Sequence, residues 1–107
     1  MLNETLFAQV KRKCNITWED ADTTARINEI IASAIPDLKY KLGIKEDEEF
    51  DFSKAGKENI LFLAYCLYEW NHVLPSFDMN YSNDIAQVRA KWEVKYFSES
   101  SEGETNA

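Results

Sequence analysis

The chain has 107 residues, the size of one domain with a single core and too short for two. Hydrophobic residues make up 45% of it and aromatics 13%, with tryptophan at Trp18, Trp70 and Trp92, a composition that excludes a disordered chain. Twelve basic against 19 acidic side chains give a net charge of −7, which repels phosphate backbones and anionic lipid and argues against non-specific nucleic-acid binding.

No stretch reaches the roughly 20 apolar residues that a membrane span requires, and the opening MLNETLFAQVKRK lacks a signal-peptide core, so a cytosolic protein is expected. Cys14 and Cys66 lie in helical patterns without a thiol or metal motif around them and read as reduced packing residues. The sequons at Asn3, Asn15 and Asn80 then carry no sugar, because glycosylation requires secretion.

In chain order, Asn3 and Glu4 open a short first helix whose Leu6, Phe7 and Val10 recur at helical spacing up to Lys13. Its end, Lys11-Arg12-Lys13, is the densest basic cluster and reads as a solvated C-terminus matched to the helix dipole. Thr17-Trp18-Glu19-Asp20 is a second start signal, with Asp22-Thr23 as an alternative cap. From there Ala25, Ile27, Ile30, Ile31, Ala34, Ile35, Leu38 and Leu42 trace the apolar face of a long helix. Pro36 lacks a donor and crowds the preceding turn, which predicts a kink or a break near residues 32–35. Gly43 followed by Ile44 is a stop with its usual apolar follower.

Residues 45–52 crowd acids around Phe50 and Phe52 without a periodic pattern and read as a loop. If it is extended, both rings point the same way, into the core or into a partner, the core being the expectation. Ile60 to Tyr68 is apolar or aromatic at every position, so this third helix needs cover on most faces. That cover comes either from the neighbouring helices or from an interface with another protein. A last helix follows Asn80-Tyr81-Ser82-Asn83-Asp84 with Ile85, Val88, Ala90, Trp92 and Val94 as its apolar contacts. The expected architecture is an all-α bundle of about four helices over residues 1–97, with an acidic, flexible tail at 98–107.

The chain offers little chemistry. Gly43, Gly56 and Gly103 are isolated, so no phosphate-cradling loop forms, and two cysteines with one histidine are too few for a structural zinc site. His72 could pair with Glu69 one turn back, but it reads as a helix-end histidine, and the acids at 46–49 read as solvated. The expectation is a protein that is not an enzyme, with no catalytic residue, cofactor, metal or small-molecule substrate.

The order of these features carries a resemblance. Ile16-Thr17-Trp18-Glu19-Asp20 precedes the long helix ending Leu38-Lys39-Tyr40-Lys41-Leu42-Gly43-Ile44, and an acidic loop follows it. Ala55-Gly56-Lys57-Glu58-Asn59 leads into Leu61 to Trp70, and Asn80-Tyr81 precedes Asp84-Ile85 and Val88-Arg89-Ala90-Lys91-Trp92. Over residues 3–97 this resembles the head-tail connector, or head-completion adaptor, family of tailed bacteriophages. The resemblance implies a homo-oligomeric ring beneath the portal protein that extends the DNA channel and receives a stopper or tail-completion protein. DNA would pass through without sequence-specific binding, and the protein would move from the bacterial cytoplasm to the virion neck, with no membrane role.

Two other readings share the composition: a small helical DNA-binding regulator and a host-directed protein-binding adaptor. The first needs a basic recognition helix, and the last helix sets only Arg89, Lys91 and Lys95 against Asp84 and Glu93. For a partner interface the expected anchors are Trp18, Phe50, Phe52 and Trp92, large apolar side chains near segment ends.

Overall fold

The computed structural model describes the backbone of residues 2–106 and the side chains of residues 4–100. Five helices follow one another: α1 (Leu2–Lys13), α2 (Ala21–Leu42), α3 (Lys57–Trp70), α4 (Pro75–Asn80) and α5 (Ser82–Asn106), and no strand occurs among the described residues. The capping role expected of Asn3 lies outside the described side chains.

The start of α2 is set by Asp20, whose extended backbone lets its carboxylate accept from the Thr23 N–H at 2.8 Å and from the Thr23 hydroxyl at 2.9 Å. That arrangement satisfies a helix-start donor that otherwise has no partner. At the other end Gly43 adopts φ 72°, and the Ile44 N–H reaches back to the Lys39 carbonyl at 2.9 Å. A side chain at Gly43 would be strained at that φ and would press on the Arg89 Cγ at 3.2 Å.

Between these caps α2 is one helix that runs through Pro36, so of the kink or break expected there no break forms. Pro36 and Ala32 both face solvent, so water can satisfy the carbonyl that loses its helical donor.

The helices stack in tiers. Helices α2 and α3 pack together at the centre, α1 lies against both on one side, and α5 lies against both on the other without touching α1. This arrangement buries Leu61, Phe62, Ala64, Tyr65 and Cys66 of α3 against Ile27, Ile31, Ala34 and Leu38 of α2. The bundle therefore covers most of the apolar circumference of α3, and Ile60 is its one large apolar side chain left exposed.

Helix α4 is an addition to the four expected. Pro75 opens it at a position where a missing N–H costs nothing, and Phe77 anchors it, fully buried among Tyr65, Tyr68 and Tyr81. The backbone of α5 runs on through Asn106, into the segment where composition predicts a tail. No large apolar residue follows Phe97, so this last stretch continues by adding helical hydrogen bonds to a packed start.

Replacing Phe62 with Ala should cost about 3–5 kcal/mol, while Ala at exposed Val94 should stay within about 0.5 kcal/mol. Urea denaturation of both variants checks the packing scheme, and equal losses would contradict it.

Candidate interaction surfaces

Among the described residues the bundle places one carboxylate inside. Glu58, in the first turn of α3, is only 7% exposed and bridges to α5. It accepts from the Trp92 indole N–H at 3.2 Å and is ion-paired with Lys91. Burial pushes the Glu58 carboxyl up. The Lys91 hydrogen bond, its own backbone N–H, the Lys91 charge and the Trp92 N–H outweigh that and hold it below the usual carboxylate range.

Around this bridge the expected anchors separate. Phe52, 2% exposed, stacks on Phe62 at 5.0 Å, and half-buried Phe50 meets Phe52 edge-on at 5.0 Å and Trp92 at 5.4 Å. Trp92, 5% exposed, belongs to the same cluster. Phe52 and Trp92 are thus core residues of the monomer, and in this fold they have no surface left for a partner. Phe50 and Phe52 do share a direction, and that direction is inward. Trp18 alone of the four stands out, 48% exposed, with its indole N–H donating to the Thr23 hydroxyl at 3.0 Å.

The acidic loop is tethered rather than loose. The Lys39 ammonium donates to the Glu48 carbonyl at 2.6 Å, and the Tyr96 hydroxyl accepts from the Lys45 N–H and donates to the Glu48 carboxylate, both at 3.0 Å. Glu48 is therefore turned toward α5, leaving Glu46, Asp47 and Glu49 exposed. Among the described residues no group of three or more His, Cys, Asp or Glu is placed to hold a metal ion.

His72 sits past the end of α3 at φ 60°, with its Nε2 3.2 Å from the Arg26 guanidinium. Arg26 caps α3, donating to the Trp70 carbonyl at 2.7 Å and stacking over the Trp70 ring at 4.3 Å. This closes the C-terminal end of α3 against α2 and gives the histidine a helix-end setting. On the opposite side of the core, Tyr65 donates to Asp37 at 2.6 Å; burial and that carboxylate raise its phenol well above the ordinary value.

Tyr40, Met79 and Phe97 are exposed without any role expected of them, whereas Val94 and Ala90, expected among the apolar contacts of the last helix, face out because they lie on the side of α5 turned from the core. Tyr40 projects from α2 between two shallow grooves. One, of about 280 Å³, is lined by Ile35, Pro36 and Ile44; the other, of about 350 Å³, by Ile85, Ala86 and Arg89. Met79 is equally open on α4, and Val94 and Phe97 are 66% and 74% exposed on α5. The helical period could have found the last two, because Val88, Trp92 and Tyr96 define the inner face of α5 and Val94 and Phe97 fall opposite it. No helix of the structure is long and apolar enough to cross a membrane. No family model, curated protein or solved structure matches this chain.

Glu58→Gln should lower stability by about 1–3 kcal/mol near neutral pH. The depressed folded-state pKa means that the carboxylate stabilises the fold above the unfolded pKa and loses that contribution as pH falls through the folded value. The gap between wild type and variant should accordingly close in acid; thermal melts across a pH series read it, and a gap constant down to low pH would rule out the ionised bridge.

Proposed function

We propose that this chain is a structural docking subunit, a head-tail connector of a tailed bacteriophage that forms a ring under the portal protein and offers a platform to a stopper or tail-completion protein. The reading rests on the ordered resemblance over residues 3–97 described above. The structural observation that supports it is a sealed core combined with apolar side chains left outside. No buried side-chain nitrogen or oxygen among the described residues lacks a partner, yet Trp18, Tyr40, Met79, Val94 and Phe97 are all exposed.

Exposed apolar surface on a small acidic protein favours contact with other proteins over contact with nucleic acid. A ring uses two different patches on each copy, and helices α1 and α5 offer separate faces on opposite sides of the central tier. On this reading the protein acts in the host cytoplasm during assembly and then in the virion neck.

Native mass spectrometry of the purified chain, alone and mixed with the portal protein of the same genome, tests the proposal. A multi-copy ring, free or seated on the portal, is the expected result. A chain that stays monomeric and ignores the portal would overturn it and favour a single-partner adaptor.

A further inference from the structure

The C-terminal half of α2 and the acidic loop that follows it enclose one continuous groove. One part, of about 280 Å³, is walled by Ile35, Pro36, Tyr40 and Ile44; the other, of about 670 Å³, runs past Phe50 and the acids of residues 46–51; Ile35, Lys39 and Glu46 line both. The first part is small beside ligand pockets of roughly 300–1,000 Å³, so it suits one large side chain. In the second part Glu46, Asp47 and Glu49 are exposed. Lys39, the cation in this lining, is turned to the loop's main chain, donating to the Glu46 carbonyl at 3.4 Å and to the Glu48 carbonyl at 2.6 Å, and so leaves those three carboxylates uncovered. The groove thus joins an apolar slot to an acidic rim, which calls for an occupant with an apolar anchor beside positive charge.

The chain itself displays such a surface at the turn between α1 and α2. Arg12 and Lys13 are exposed there, and Trp18 is 48% exposed with its indole N–H held by the Thr23 hydroxyl at 3.0 Å. The acids of this turn are engaged locally: Glu19 pairs with Lys11 at 3.4 Å, Asp20 caps α2, and Asp22 lies in the first turn of α2 at the positive end of its dipole. One molecule cannot seat this turn in its own groove, because Thr23 and Lys39 lie about 24 Å apart along α2 at the helical rise per residue. The chain's C-terminal segment does not suit the acidic rim either, since residues 98–107 contain no lysine or arginine. Two grooves facing each other about a two-fold axis would oppose their acidic rims, which like-charge repulsion disfavours.

We propose that the groove between α2 and the acidic loop receives the Arg12, Lys13 and Trp18 turn of a second copy of this chain, with Trp18 in the slot between Pro36 and Tyr40 and the two cations on Glu46, Asp47 and Glu49. Turn and groove lie at opposite ends of α2, so the contact is head-to-tail, and each copy so joined still presents one free surface of one kind or the other. This inference rests on the ring-subunit reading and deepens it by naming the two surfaces that meet.

Sedimentation of the full chain over a concentration series, at low and high salt, tests it. Wild type should associate as concentration rises, and salt should weaken the association. Arg12→Glu with Lys13→Glu, Glu46→Lys with Asp47→Lys, and Trp18→Ala should each weaken it by about tenfold or more while keeping wild-type helicity. The two charge reversals move the net charge in opposite directions, so a loss in both does not come from general repulsion. Mixing the two charge-reversed proteins should restore an assembly that neither shows alone, because each then offers the other a complementary turn and groove. If wild type assembles and the substitutions leave it unchanged, the proposed contact is wrong while the ring reading stands. A wild type that is monomeric throughout also overturns the contact, and the portal mixture then decides the ring reading independently.

Discussion

A single carboxylate governs how the central tier meets α5. Glu58 is taken out of water at the start of α3, and an isolated charge there would be strongly unfavourable, so its partners are constrained in place. Lys91 and the Trp92 N–H satisfy it from one turn of α5, which fixes both the register and the rotation of that helix. With the rotation fixed, Trp92 and Tyr96 turn inward, Phe50 closes against Trp92, and the loop ahead of α3 is drawn down with Phe52 stacked on Phe62.

The same rotation determines what the protein shows to its surroundings. Once Val88, Trp92 and Tyr96 face the core, Val94 and Phe97 must face out, because 3.6 residues per turn leave no other side for them. The tether of Tyr96 to Lys45 and Glu48 holds the acidic loop against the inward-turned side of α5, away from that face. An internal bridge and an external apolar surface are thus two consequences of one helix orientation. Arg26 plays the matching part at the other end of α3, where its stacking on Trp70 and its bonds to the last carbonyls tie α2 to the helix terminus.

Much of the helical layout was legible from local rules. The end of α2 follows from Gly43 and most of its inner face from apolar spacing, while its start is open between Thr17–Asp20 and Asp22–Thr23 by local rules and falls at Asp20 in the fold. Two features needed the fold. Pro36 allows a kink or a break by local rules, and only the tertiary structure shows Ala32 and Pro36 facing water, where the helix runs on unbroken. Helix α4 is too short to display a period, and what holds it is the aromatic nest around Phe77, built from Tyr65 and Tyr68 of α3 and Tyr81 at the end of α4.

The interaction surfaces divide in the same way. By itself the sequence determined the helical class, the acidic charge and the long α2 with its glycine stop, because each depends on composition or on residues within a few positions of one another. Only the tertiary structure decided that Phe52 and Trp92 are core while Trp18, Val94 and Phe97 are surface. Burial of a side chain is set by which distant helix lies over it, and a carboxylate such as Glu58 reveals its part only when the partner 33 and 34 residues away is brought against it.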